Sequence, residues 1–313
     1  MPVNITKPTL YEASFRAMGS PCNLSLYCPS DTSWLAAKAI TLDELERLEA
    51  KYSRYRPNSI LSQINDQAGT GKTTSLDDET WWLLQYANTA FQQSNGLFDI
   101  TSGVLRKAWD FSTRKANSQS SFVLPSETQI EQLLSLIGWQ QIPLEQSTFM
   151  LPKVGMELDF GGIVKEYAAD RIAALIQAHG IHHGLIDLAG DIRVIGPHPN
   201  DEPWLIGISH PEQPQQAIAH IPMRAGGLAS SGDYARSFTL QGTRYSHILN
   251  PKTGWPTQGL VAVSVWAEQC VVAGTLATAA MLKGTPNGTQ WLTDTNAAFL
   301  CIDDKMTVTQ SKQ

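Results

Sequence analysis

Glu157-Leu-Asp-Phe-Gly-Gly-Ile-Val-Lys-Glu-Tyr-Ala-Ala-Asp-Arg171 is the stretch on which the reading of the chain turns. The apolar run Leu158 to Phe160 predicts a short strand carrying one carboxylate, Asp159. Gly161 and Gly162 predict a tight turn at which backbone can approach a ligand closely. Val164, Tyr167, Ala168, Ile172, Leu175 and Ile176 then recur at helical spacing, and Gly180 stands where a C-terminal cap belongs. A strand, a glycine turn and a helix N-terminus together form a natural anion site. The glycine spacing is that of neither a Rossmann fingerprint nor a P-loop.

Downstream, the sequence keeps returning to glycine and carboxylate. Asp187-Leu-Ala-Gly-Asp191, Ser230-Ser-Gly-Asp-Tyr234, Tyr245-Ser-His-Ile-Leu-Asn-Pro-Lys-Thr-Gly254 and Ala273-Gly-Thr-Leu-Ala-Thr278 follow in order. Residues 184–196 read as strand, Ala-Gly turn, strand, and further strands are expected at 204–209, 218–223 and 260–266. In the last of these, Val261, Val263 and Val265 share a face. Small residues from Cys270 to Leu282 predict a helix ending at Gly284, and 297–302 with 306–309 predict a closing hairpin.

Upstream, residues 14–28 predict two strands interrupted by Met18-Gly-Ser20. A helix starts near Asp31 to Ser33, with Leu35, Ala39, Leu42, Leu45, Leu48 and Tyr52 expected on its inner face. It runs into Ser53-Arg-Tyr55, where Tyr55 is either a surface aromatic or a stacking platform for a flat heterocycle. Ser75-Leu-Asp-Asp78 and Ser126-Glu-Thr-Gln129 have the form of capping boxes, each opening a helix. Residues 112–121 predict a polar loop, either a tolerated insertion or a flap beside a site. Helices and strands intermix without strict alternation, which predicts an α+β layered fold with mixed or antiparallel sheets, residues 1–313 forming a single domain.

Composition narrows the function. The 313 residues are 42% hydrophobic, enough for a full core, and a net charge of −6 argues against a nucleic-acid footprint. No apolar run has membrane-spanning length, and the N-terminus has neither an apolar signal region nor a lipobox cysteine, so a cytoplasmic location is expected. Cys22, Cys28, Cys270 and Cys301 lack zinc-ligand spacing and read as reduced, buried thiols.

The ordered motifs resemble the ApbE family of FAD:protein FMN transferases. Those that carry the resemblance are Met18-Gly-Ser20, Ser53-Arg-Tyr55, Gly96-Leu-Phe-Asp99, Asp159-Phe-Gly-Gly162 with Lys165 and Tyr167, Ala189-Gly-Asp-Ile192, Ser231-Gly-Asp-Tyr234 and His247-Ile-Leu-Asn-Pro-Lys-Thr-Gly254. The resemblance implies a T-fold-like α+β architecture and an enzyme that binds FAD with Mg²⁺. It implies transfer of the FMN half to a Ser or Thr hydroxyl of a target flavoprotein, with release of AMP. Matching positions make Met18, Tyr55, Phe111, Asp159, Lys165 and Leu249 contacts to the flavin nucleotide, and make the Gly162 backbone and the Thr278 hydroxyl metal ligands. The residue types agree with such chemistry. Lys165 and a metal neutralise a pyrophosphate, and His247, just before an Asn-Pro turn, is placed to act as base.

Two positions depart from the family pattern. The metal-binding Asp expected four residues before Thr278 is Gly274, and Glu166 stands where Gly is usual. Mg²⁺ normally keeps a carboxylate among its oxygen ligands, so Glu166 is read either as the replacement from the opposite wall or as a solvated helix residue beside a lost metal site, with Asp191 and Asp233 as other donors. Ala189, in place of a common Gly, is expected to cost little if its backbone angle is ordinary. Two alternatives stay open: a hydrolase giving FMN and AMP, and a non-catalytic flavin-binding or flavin-delivery protein.

Overall fold

The computed structural model describes residues 7–109, 111, 124–213, 215–234 and 236–311. The expected polar loop, residues 112–121, lies wholly outside them. In chain order the strands are β1 (Thr9–Ala17), β2 (Ser20–Cys28), β3 (Thr74–Ser75), β4 (Thr148–Phe149), β5 (Gly184–Leu188), β6 (Asp191–Gly196) and β7 (Trp204–Ser209). They continue as β8 (Ala217–Met223), β9 (Gly226–Gly232), β10 (Ser237–Leu240), β11 (Thr243–Ser246), β12 (Leu260–Ala267), β13 (Ala298–Asp303) and β14 (Val308–Gln310). The α-helices are α1 (Asp31–Tyr52), α2 (Ile60–Asp66), α3 (Asp78–Gln93), α4 (Glu127–Leu134), α5 (Val164–Ala178), α6 (Cys270–Lys283) and α7 (Asn287–Asp294).

One antiparallel sheet, in the order β1-β2-β5-β6-β9-β12-β13-β14, organises the chain. Its central strand β12 is buried on both faces, so its residues divide between two apolar layers. Val263 and Val265 face the main core with Ile172, Ile176 and Ala277, where α5 and α6 cover the sheet. Ala262 faces a second cluster in which Ile206, Ile208, Ile221 and Met223 of the β7–β8 hairpin cover the opposite side. The α+β expectation holds, with helices on one face and a hairpin on the other.

Several local expectations change. In α1, Leu35 and Leu42 lie in solvent, while Thr41 and Glu44 are buried. The helix is rotated because its contacts are polar as well as apolar: Glu44 pairs with Arg47 and with Arg171 of α5. The N-cap of α3 is Asp77, not Ser75; its carboxylate accepts the Thr80 N–H at 2.9 Å. Ser126 does cap α4 as expected, accepting from the Gln129 N–H.

Leu158 to Phe160 is extended but forms no strand. The Asn65 amide supplies the pairing that a neighbouring strand would give: its Oδ1 accepts from Leu158 N–H at 2.7 Å and its Nδ2 donates to Leu158 C=O at 3.1 Å. Asp159 N–H donates to the Ile100 carbonyl at 2.8 Å. The segment is thereby fixed across two loops without joining a sheet, which leaves it free to present a side chain.

Candidate active site

The extended segment aims Asp159 at the end of α1. Its Oδ1 accepts the Gly161 N–H at 2.9 Å, and its Oδ2 forms an ion pair with Arg54. Arg54 in turn donates to the Tyr55 hydroxyl at 2.8 Å and lies over the Tyr55 ring. Tyr55 is 80% exposed, a ring held by a fixed cation and left open on its solvent side. Gly103 backs Asp159 so closely that a Cβ there would fall 2.7 Å from Asp159 Cβ.

Gly161 and Gly162 do not adopt the left-handed backbone expected of a glycine turn. Smallness explains Gly161, where a Cβ would crowd Asp159 Oδ1 at 3.1 Å. The turn is closed by Phe160 C=O, which accepts from the N–H groups of Ile163 and Val164. Among the described residues the Gly162 carbonyl accepts no backbone hydrogen bond, so it stands open just ahead of α5.

The helix α5 then presents two charged side chains in succession. Lys165 donates to Asp191 Oδ2 at 2.9 Å, the first residue of β6. Burial opposes the Lys165 charge, but Asp191 more than offsets it and holds its pKa above the usual value. Glu166 turns the other way, into the seam between α5 and α6. It is 7% exposed, its Oε2 has no hydrogen-bond partner, and burial chiefly, with nearby Asp191, raises its pKa to about 8.

Three turns of α5 and α6 run past one another in opposite directions. Asp170 carboxylate oxygens accept the Cys270 and Val271 N–H groups at 2.9 and 3.0 Å, capping α6 from the side of α5. One turn along, Glu166 lies against Gly274, where a Cβ would come within 2.7 Å of its Cγ and Oε1. Thr278 lies one further turn along α6 from Gly274, and Gly162 lies one turn ahead of Glu166, just before α5. Tyr86 locks the seam, donating to the Val271 carbonyl and the Thr275 hydroxyl at 2.9 Å.

His247 follows β11 directly, its N–H donating to the Arg236 carbonyl at 3.0 Å. The residue as a whole is exposed, while its ring lies among crowding neighbours; this desolvation first, and the Arg236 charge second, lower its pKa and keep the imidazole neutral. The same Arg236 acts on Lys165, so Lys165, Arg236 and His247 share one neighbourhood. After His247 the chain turns tightly: Asn250 Oδ1 accepts from Lys252 N–H, and Asn250 C=O from Gly254 N–H at 2.8 Å. Leu249 bridges to Pro256, and Trp109 Nε1–H donates to Gly254 C=O. Phe111 stacks on Trp109 at 6.3 Å, in a wall continued by Tyr245 and Phe238. Met18 sits apart at the β1–β2 turn, where its N–H donates to Glu49 Oε2 at 3.0 Å.

Ala189 has φ of +61°, so its backbone is not ordinary. The residue is strained where Gly would be relaxed, which corrects the expected low cost. Of the groups that shape the site, sequence reasoning singled out neither Arg54 nor Arg236. Arg54 lay inside a quoted motif; Arg236 carries no local signal.

Among the described residues no three His, Cys, Asp or Glu side chains gather closely enough to hold a metal. The start of α5 offers a different donor set, the open Gly162 carbonyl and a Glu166 carboxylate oxygen without a partner, and such hard oxygens suit Mg²⁺. A cavity of about 690 Å³ bordered by Met223, Arg224 and Trp266 opens beside the β7–β8 hairpin and contains none of these residues.

Arg236 thus acts on both a neutral imidazole, His247, and the Lys165 ammonium, an arrangement whose charge suits an anionic ligand. The chain belongs to the ApbE family, whose model matches residues 18–301. It is 29% identical over 247 residues to the FAD:protein FMN transferase of Vibrio cholerae, covering 78% of this chain and 72% of the relative. The Klebsiella pneumoniae FAD:protein FMN transferase is 30% identical over 250 residues, covering 79% and 74%. Among solved structures, the ApbE protein of Thermotoga maritima superposes with a TM-score of 0.86 at 28% identity, covering 97% of each chain. The apo flavinyl transferase ApbE of Pseudomonas stutzeri gives 0.85 at 25% identity, covering 99% and 97%.

Proposed function

We propose that this protein transfers the FMN moiety of FAD to a Ser or Thr hydroxyl of a target flavoprotein and releases AMP. It acts as one ApbE-like domain, in the cytoplasm. The observation that carries the reading is the match of residues 18–301 to the ApbE family, whose FAD:protein FMN transferases the chain resembles over most of its length. Within it, the Arg236 charge acts on both His247 and Lys165. His247 takes the proton of the acceptor hydroxyl, whose oxygen attacks the FMN phosphorus. The bond from that phosphorus to the bridging oxygen breaks, and AMP leaves with the oxygen. Lys165 and Arg236 stabilise charge on the phosphoryl oxygens.

Tyr55 stacks on a flat ring of the nucleotide, and the Arg54–Asp159 pair fixes Tyr55. Phe111 and Leu249 line the aromatic side of the site, and Met18 contacts the nucleotide from the β1–β2 turn. The Gly162 carbonyl, the Thr278 hydroxyl and the Glu166 carboxylate would hold Mg²⁺, which when bound would neutralise pyrophosphate charge.

The test is incubation of the protein with FAD, Mg²⁺ and a domain presenting an acceptor Ser or Thr. An FMN mass addition on that domain with stoichiometric AMP is the expected result. AMP without a labelled acceptor makes the protein a hydrolase. Tight FAD binding with no AMP makes it a flavin carrier.

A further inference from the structure

We propose that Glu166 and Gly274 form one interlocked unit, in which α5 supplies the carboxylate for a divalent cation and α6 is kept bare to make room for it. The inference rests on the metal assignment above and adds the coupling between the two positions.

Three observations converge. Glu166 is buried and its Oε2 lacks a hydrogen-bond partner, although a buried carboxylate oxygen is costly to leave unsatisfied. Lys165, the adjacent cation, is committed to Asp191 at 2.9 Å and does not supply that partner. Gly274 admits no side chain: a Cβ would stand 2.7 Å from Glu166 Cγ and Oε1 and 3.0 Å from Cδ. Real contacts at a Cβ do not come so close, so any other residue at 274 displaces the carboxylate.

The direction of Glu166 fits a cation. Asp170 pins the α6 N-terminus, and one turn along the antiparallel register Glu166 lies against Gly274. The Thr278 hydroxyl is a further turn along α6, and the open Gly162 carbonyl is a turn ahead of Glu166. A carboxylate, a carbonyl and a hydroxyl leave the remaining positions to water and phosphate oxygens, the usual state of protein-bound Mg²⁺. Cys270, the nearest thiol on α6, is turned toward the Leu228 carbonyl and adds no soft ligand.

The test titrates Mn²⁺ into the FAD-free protein, followed by electron paramagnetic resonance, with Mg²⁺ as competitor and circular dichroism to confirm folding. The native chain should bind a single Mn²⁺ that Mg²⁺ displaces. Glu166→Gln, which keeps shape and loses charge, should weaken binding about tenfold or more, since changes even one shell further out cost that much. Gly274→Ala should do the same by displacing Glu166. Gly274→Asp alone should fail to restore binding, whereas Glu166→Gly combined with Gly274→Asp should recover most of it. No Mn²⁺ binding by the native chain, native-like binding by Glu166→Gln, or unchanged affinity in Gly274→Ala each overturns the proposal. Because neither FAD nor acceptor is present, failure of the transferase reading would appear separately, as intact cation binding without FMN transfer.

Discussion

Lys165 on α5 donates to Asp191 on β6 across 2.9 Å, and this contact joins the helix that opens the site to the sheet beneath it. Asp191 is 5% exposed, so each charge depends on the other. Asp191→Asn leaves Lys165 uncompensated in a partly buried position. We expect a stability loss of about 2–4 kcal/mol, toward the lower end for a buried pair because Lys165 keeps some solvent. Urea unfolding measures it. Lys165→Gln strands the more deeply buried Asp191 and should cost at least as much stability, while lowering FMN transfer by roughly 100-fold or more, the scale for losing one stabilising group at a developing charge.

His247 is kept neutral by desolvation and by Arg236. A base whose pKa is lowered remains competent further into acid than an ordinary histidine. Transfer should therefore hold its rate as the pH falls from 8 to 6, and decline only below the ordinary imidazole range. Arg236→Gln removes one cause of the shift and should move the acidic limb upward. His247→Ala should lower turnover by about 10²- to 10⁴-fold while leaving FAD affinity near native. A parallel loss of FAD binding would make His247 a binding residue instead.

Asp233 directly follows β9; the residue is 8% exposed, and Arg244 comes no nearer than 3.5 Å. Desolvation outweighs that partner and raises its pKa from 3.8 to about 6. A carboxyl raised in the folded state favours the protonated form. Its contribution is therefore fully present below the unfolded value and is lost as the pH rises through 6. Asp233→Asn cannot ionise and should flatten this part of the profile, gaining on the native chain by about 2 kcal/mol between pH 4 and 7. Thermal unfolding at several pH values reads it; parallel curves for the two proteins would refute it.

Ala189 occupies a left-handed conformation at φ +61° in the turn between β5 and β6, just before Asp191. Glycine adopts that angle without the Cβ clash, so Ala189→Gly should stabilise the fold by about 1 kcal/mol, net of the greater backbone entropy of glycine. A lower denaturation midpoint for the glycine variant would show that the strain is absent.

How far these features were legible before folding depends on how local their causes are. The helix from Val164 and the paired strands around Ala189 follow from residues a few positions apart and fold as read. In β12, by contrast, Val263 and Val265 share the main core, but a register shift between Leu260 and Ala262 interrupts the alternation at Val261. Leu158 to Phe160 misled because its hydrogen-bond partners are a side chain, Asn65, and a distant carbonyl, Ile100, which no periodicity reveals. The α1 face misled for a related reason: Glu44 is drawn inward by Arg47 and Arg171, and an apolar count cannot see ion pairs. Within the site, Glu166 was legible as a misplaced carboxylate. Its contact with Gly274, more than a hundred residues away, required the register of two helices. Arg236 gained its place only through the fold.

Gly103 follows Thr101 and Ser102, and the three nearest atoms that a Cβ there would meet all belong to Asp159. Its backbone needs no left-handed angle, so space alone fixes its identity. Gly103→Ala would press a methyl group within 2.7 Å of Asp159 Cβ and 3.1 Å of its Oδ2, the oxygen that pairs with Arg54. Asp159 sits on backbone held by Asn65 and Ile100 and cannot retreat far, so its carboxylate must swing away from Arg54. Arg54 would then lose the partner that holds it beneath Tyr55. We expect FAD affinity to fall about tenfold, the scale of one displaced stacking and ion-pair arrangement. Isothermal titration with FAD measures it, and Asp159→Ala in the Gly103→Ala background should add little further loss if both act through the same contact. Additive losses would mean that Gly103 supports the site by a route that does not pass through Asp159.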